Sequence, residues 1–521
     1  MKKVVSLLLL LILVLGMSVV SFATEEPVYG GTFIFGRGAD SPGLDPIKET
    51  DGETYKVTEQ IYDTLVDYKP GTTEVIPALA TSWEVSDDGK VWTFNLREGV
   101  QFHDGTPFNA EAVVWNFDRW GHEDHPYHQG SFDYYTWMFM GFPGLIQDVQ
   151  AVDDLTVRFV LSEPQAPFLA NLAMSPFAIA SPTAVKKWGE DSFKHPVGTG
   201  PFVFQEWVQD DQITLVRNEK YWGDKPYLDK VVFRVIPDPT ARVMELQTGK
   251  VDFIDGVTPD SIPVLENDEK LKILLRPSMN VGYMAMNQAY EPLDNVLVRR
   301  AINYAIDNKA LVDSVFMGMA VPAKNPMPPS IWGYNDEIEG YDYDPEKARE
   351  LLEEAGYPDG FKTKLWAMPN PRPYMPQPRL IAQIIQAYLA EVGIDIEIIS
   401  MDWSTYLTEY KKNKAPMYLL GWTGDNGDPD NFLYVLLDPA NDKDKGNYQN
   451  EEVHQLLVEA QTTMDHEKRV ELYKKAQELI FADAPWVNIA HSTPPLAAKQ
   501  EVMGYVPSPT GVREFTKVWK K

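Results

Sequence analysis

The first residues that could do chemistry are His122, His125 and His128, which recur every third position in GHEDHPYHQG with Glu123 and Asp124 between them. On a helix, imidazoles and carboxylates so spaced could ligate a divalent metal. Pro126 interrupts the run and Gly121 and Gly130 bracket it, so the segment is expected to be a hydrated surface loop. His103, His195, His454, His466 and His491 are scattered, and none accompanies a serine or carboxylate in a nucleophile motif. VGTGPF at 197–202 lacks both the Lys-Ser/Thr of a phosphate loop and the third glycine of a dinucleotide turn, and reads as a structural turn. Cysteine is absent, which removes thiolate catalysis, disulfides and iron–sulfur ligation. Carboxylates are too abundant for a glycosidase pair to stand out. The sequence therefore assigns no catalytic residue, no metal ligand and no cofactor.

Binding chemistry is better represented. The 14 Trp and 25 Tyr exceed what a core needs, and such rings suit cleft walls because they combine a large apolar area with a polar edge. The segment GWTGDNGDPDNF at 421–432 follows the apolar run 417–420 and fits no core pattern. An apolar strand ending in glycine and carboxylates places backbone donors and negative charge where open α/β sheets bind ligands. An acidic surface turn is the plainer alternative. With 76 acidic against 47 basic residues, the net charge of −29 repels phosphate backbones and anionic lipid, which argues against nucleic-acid binding.

The elements that must position these residues are mixed. Alternating GTFIFG at 31–36 predicts a strand, followed by a Gly/Pro/Asp-rich loop and a helix over 54–65. Further strands are predicted at 91–97, 156–161, 214–217, 231–236 and 395–400. Helices are predicted at 347–355, behind Asp344-Pro345-Glu346, at 379–392 behind Pro378, and at 467–481. The fold class is α/β, and 521 residues suggest two to four domains. Lys2 and Lys3 precede an apolar run at 4–15, and Ser21-Phe22-Ala23 offers small residues for cleavage, so residues 1–23 are expected to be a secretory signal peptide. Without cysteine there is no lipoprotein attachment point.

Several longer segments resemble one family. They are PALATSW at 77–83, WTFNLREGVQFHDG at 92–105, PVGTGPF at 196–202 and the stretch 293–305, together with the opening strand and the export signal. They resemble the family 5 solute-binding proteins of ABC importers. GWTGDNGDPDNF, RPY at 372–374, NPMPPSIWGYND at 325–336 and IAHST at 489–493 are similar to its dipeptide-binding branch. The resemblance implies a two-lobed periplasmic binding protein fold (type II, cluster C) with an inserted domain and a ligand cleft between the lobes. Lobe I would take 24–50, 200–277 and 495–521, the inserted domain 51–199, and lobe II 278–494. It also implies that Asp425 holds a peptide α-ammonium and Arg372 the α-carboxylate. Trp422 and Tyr374 would stack on side chains, and Gly421, Thr423, Thr50 and Gly52 would offer backbone or hydroxyl bonds. Physical chemistry agrees, because a zwitterion stripped of water needs a fixed anion and a fixed cation at its ends.

The implied protein is a periplasmic monomer, not an enzyme, that delivers small peptides to the permease subunits of an importer. An oligosaccharide ligand is the alternative within the family, since aromatic platforms suit sugars. A secreted hydrolase is the alternative outside it.

Overall fold

The computed structural model describes residues 26–521 apart from 142, 441–445 and 512–513. The expected signal peptide at 1–23 lies outside the described residues, among which no helix is long and apolar enough to cross a membrane.

Three sheets organise the chain. The first has seven strands in the order Leu271–Leu275, Pro495–Lys499, Phe253–Ile254, Thr32–Arg37, Lys230–Val235, Gln212–Arg217 and Phe202–Val208. Thr32–Arg37 runs parallel to both of its neighbours. Its alternating Phe33 and Phe35 are fully buried, and Phe253 and Phe515 pack on them with ring centroids 5.0–6.1 Å apart. Around Phe515 the tail returns to this sheet, and Lys520 Nζ donates to Thr32 O at 3.3 Å.

The second sheet runs Ala320–Pro322, Trp486–Ser492, Asn280–Met286, Met417–Thr423, Phe361–Trp366 and Ile394–Ile399. Asn280–Met286 is buried at every position, as its uncharged sequence NVGYMAM requires of a strand covered on both faces. Helix Pro378–Glu391 connects the parallel strands Phe361–Trp366 and Ile394–Ile399. A separate four-stranded antiparallel sheet, ordered Ala80–Val85, Val91–Leu96, Thr156–Leu161 and Ile146–Asp153, carries helix Ala110–Gly121.

The chain crosses between the first two sheets at two places that lie side by side. Leu271–Leu275 leads through 276–279 into Asn280–Met286, and Trp486–Ser492 leads through Thr493 and Pro494 into Pro495–Lys499. Arg276 N donates to Pro494 O at 3.2 Å, tying one crossing to the other. On the second-sheet side the crossings are rooted by side chains. Asn280 Nδ2 donates to Ser492 O at 3.0 Å, Ser492 N donates to Asn280 Oδ1 at 3.0 Å, and His491 Nδ1 lies 2.8 Å from Asn280 O.

His491 is 1% exposed, and burial pushes its pKa down to about 4. An unfolded histidine takes up a proton below about pH 6.5, whereas the folded one resists until about pH 4, so acidification through that window favours unfolding by about 3 kcal/mol at this residue. His491→Gln should flatten that part of a urea-midpoint profile against pH. An unchanged slope in the variant would assign the acid sensitivity elsewhere.

The helix expected over 54–65 is shorter, spanning Gly52–Thr58. Gln60 O and Ile61 O accept from Phe202 N and Gly200 N, both at 2.9 Å, instead of from a further helical turn. Side chains at Gly198 or Gly200 would strike the backbone of Ile61 and Tyr62, so the glycines of VGTGPF permit this close approach. The histidine segment is a surface loop, with no residue of 122–130 buried, and its rings make local contacts. His125 lies against Trp115 at 5.3 Å, His128 Nδ1 lies 2.9 Å from Arg119 O, and among the described residues no group is arranged to hold a metal.

Candidate functional site

The strand Met417–Thr423 delivers the acidic loop to a place where all three bodies meet. Within the loop each Asx side chain folds the next step. Asn426 Oδ1 accepts from Asp428 N at 2.9 Å and Asp428 Oδ1 from Asp430 N at 3.0 Å, after which helix Asp430–Leu437 begins. Gly424 passes beneath the Phe432 ring, where a Cβ would lie 2.7 Å from Cε2. Asn426 Nδ2 donates to Asn171 Oδ1 at 2.6 Å, fastening the loop to the body built on the four-stranded sheet.

This folding gives the three acids different environments. Asp428 is buried and paired with Arg469 at 2.7 Å, and that guanidinium also lies over the Trp332 ring at 4.9 Å. Asp430 is buried and bonded by Gln461 at 3.2 Å; burial, reinforced by Asp428, pushes its carboxyl up to about 7. Asp428 also borders an open volume, but beside its Arg469 partner, whereas Asp425 faces a cavity with no cation paired to it among the described residues. Asn431 Nδ2 donates to its Oδ2 at 3.3 Å and Tyr134 Oη to its Oδ1 at 3.1 Å. Its own N–H donates to Asn431 Oδ1 at 2.9 Å. No cationic side chain among the described residues forms an ion pair with Asp425, and burial raises its pKa. A partly buried carboxylate held only by neutral donors is a site that a cation would complete.

Asp425 and Gly424 close one side of a cavity of about 240 Å³ whose other walls include Gly52, Tyr55, Lys56, Glu59, Tyr134, Ser175 and Arg276. Arg37 fixes the first of these. Its fully buried guanidinium donates to Ser41 Oγ at 2.8 Å and to Glu53 O at 2.9 Å, holding the Gly/Pro/Asp-rich loop so that helix Gly52–Thr58 presents its start to the cavity.

The other sequence-derived residues lie around the same loop. Tyr374 is buried, with its ring against Gly421 and its carbonyl against Gly282, and those two glycines are cross-strand partners. A side chain at either would displace the turn that carries Arg372, so Gly421 acts here as a seat for that turn. Arg372 and Met375 exchange backbone hydrogen bonds of 3.0 and 2.9 Å, and the Arg372 guanidinium lies 5.0 Å over Trp403 with no carboxylate paired to it among the described residues. Trp422 donates Nε1 to Asn431 Oδ1 at 3.0 Å, and Thr423 and Thr50 are exposed. Gly52 shares the cavity with Asp425, whereas Arg372 is not on its wall. Sequence reasoning missed Tyr134 and Arg276. Tyr134 reaches Asp425 across 291 residues of chain, and nothing local in its surroundings distinguishes it.

Residues 74–444 match the family described as bacterial extracellular solute-binding proteins, family 5 middle. The chain is 42% identical to the dipeptide-binding protein of Escherichia coli strain K12, with 97% of each chain covered. It is 41% identical to heme-binding protein A of Haemophilus influenzae, with 93% of this chain and 91% of the relative covered. Among solved structures, the ABC transporter-associated periplasmic binding protein DppA from Helicobacter pylori, in complex with the peptide STSA, matches with a TM-score of 0.77 at 39% identity. That match covers 95% of this chain and 98% of the other.

Proposed function

This chain belongs to the bacterial extracellular solute-binding proteins of family 5, and from that membership we propose that it captures dipeptides or similarly short peptides by their charged ends outside the cytoplasm. It then delivers them to the permease of an ABC importer. The fold is the two-lobed α/β fold of that family, whose members are solute-binding proteins rather than enzymes. The observation that carries the ligand assignment is the cation-free Asp425 carboxylate at the cavity wall. A peptide ammonium would supply the missing charge, and Arg372, likewise without a carboxylate, would take the other end.

Similarity alone does not fix the ligand, because relatives of nearly equal identity are named for dipeptide and for haem, and the Helicobacter protein holds a four-residue peptide. Charged termini favour a peptide over a neutral sugar, for which Asp425 and Arg372 would be left uncompensated. Two fixed anchors also set a length, since each peptide residue spans at most about 3.3–3.6 Å.

Calorimetric titration of protein stripped of co-purified ligand tests both points. Gly-Leu should bind at micromolar Kd or tighter, about −8 kcal/mol, with tripeptides weaker and single amino acids weakest. Equal affinity for a tetrapeptide would refute the length setting, and binding of cellobiose in place of peptides would move the assignment to a sugar.

A further inference from the structure

One charge on the cavity wall has no part in the scheme above. Arg276 follows strand Leu271–Leu275 directly and begins the first crossing between the sheets. Its side chain lies toward the tail, with Nε donating to Ser508 O at 3.3 Å and Nη2 to Pro509 O at 3.4 Å. Both bonds are long and both acceptors are neutral. Nη1 has no partner among the described residues, and no carboxylate among them is in ion-pair range of the guanidinium. Of the other charged groups on the wall, Lys56 is paired, with Glu53 at 2.6 Å and with Asp255 at 2.5 Å, and Glu59 is held through one oxygen by the neutral hydroxyl of Ser175. A guanidinium lining a cavity with only two weak carbonyl contacts lacks an ion-pair partner, and Asp255 and Glu59 act on it only from beyond ion-pair range.

We propose that Arg276 is a specificity-determining residue that selects peptides whose first residue carries a side-chain carboxylate. The inference rests on the peptide reading above. If Asp425 holds the α-ammonium, the cavity it closes receives the side chain nearest that ammonium, which belongs to residue one. The α-carboxylate goes to Arg372, which lies off this cavity. A cavity of about 240 Å³ holds several waters and has room for an aspartate or glutamate side chain. A planar fork with a free Nη1 suits a carboxylate better than an amide, because charge-assisted hydrogen bonds are about twice as strong as neutral ones.

Calorimetry with Glu-Leu, Gln-Leu, Leu-Glu and Ala-Leu on stripped wild type, Arg276→Gln and Arg276→Lys tests the assignment. Wild type should bind Glu-Leu about tenfold or more tighter than Gln-Leu. Arg276→Gln should abolish that ratio while Gln-Leu and Ala-Leu stay within about threefold of wild type, and Arg276→Lys should restore part of it. Equal affinities of Glu-Leu and Gln-Leu in wild type would overturn the proposal without any variant, so a misfolded variant cannot shelter it. A preference for Leu-Glu would overturn the placement at residue one. Equal weakening of all four peptides in Arg276→Gln would mean that Arg276 holds the α-carboxylate, and would overturn the side-chain role. Failure of Ala-Leu to bind wild type would overturn the dipeptide reading and this inference together, whereas Ala-Leu binding without a Glu/Gln ratio removes this inference alone.

Discussion

Asp425→Asn is expected to weaken dipeptide binding by about 3–5 kcal/mol, the range seen when one partner of a desolvated charge pair is lost. The substitution keeps the shape of the loop. An amide oxygen can still accept from Asn431 Nδ2, and the new NH₂ can donate to the Tyr134 hydroxyl, so both present partners are retained. Unliganded stability should hold or rise slightly, since a part-buried carboxylate without a cation is removed. The lost quantity is the ligand-dependent gain in stability, which for wild type at a hundredfold excess over Kd is about 2.7 kcal/mol. Acidity offers a second readout. Burial raises the Asp425 pKa, and an ammonium binds only the ionised form. Wild-type affinity should therefore fall on acidification from a higher pH than the usual aspartate value of about 3.9, while the variant stays flat there. Wild-type affinity in the variant would transfer the ammonium to another group, and Asp428 is already taken by Arg469.

The other large effect is expected at Arg372. Truncation to alanine should cost about 2–5 kcal/mol of dipeptide affinity, because the ligand carboxylate is left desolvated without its partner. Stacking over Trp403 pre-orients the guanidinium, so Arg372→Lys should recover charge without the planar fork and fall between wild type and alanine. A dipeptide amide should bind wild type about as poorly as the free dipeptide binds Arg372→Ala. If the amide binds wild type as tightly as the acid does, the carboxyl end is not read at all.

How much of this could be read from the chain depended on how local the cause was. Asp344-Pro345-Glu346 announced helix Pro345–Glu354, and Asp344 does accept from Lys347 N at 2.8 Å. Thr156–Leu161 has the bounds its alternation gave. The helix from residue 54 failed because Gly200 and Phe202, more than a hundred residues away, capture the carbonyls it would have used, in an approach that Gly198 and Gly200 leave room for. Sheet order was likewise invisible to periodicity, since Thr32–Arg37 lies beside strands at 230 and 253; only the family resemblance anticipated two lobes. At the site, the acidic loop stood out because carboxylates and glycines follow an apolar strand. Which acid faces the cavity depends on Arg469 and Gln461 claiming Asp428 and Asp430, and these are tertiary facts. Tyr134 and Arg276 carried no local signature, because each matters only through what the fold sets opposite it.

The return of the tail to the first sheet also decides how the molecule bears load. Lys520 reaches Thr32, so the two ends of the folded chain sit on one body, and the second sheet hangs from it by the paired crossings at 276–279 and 493–494. Tension applied between Thr32 and Lys520 would pass through the first sheet alone and leave the second slack. The lobe that carries Asp425 thus lies off the line of tension between those two residues, held by the crossings and by the bond from Asn426 to Asn171.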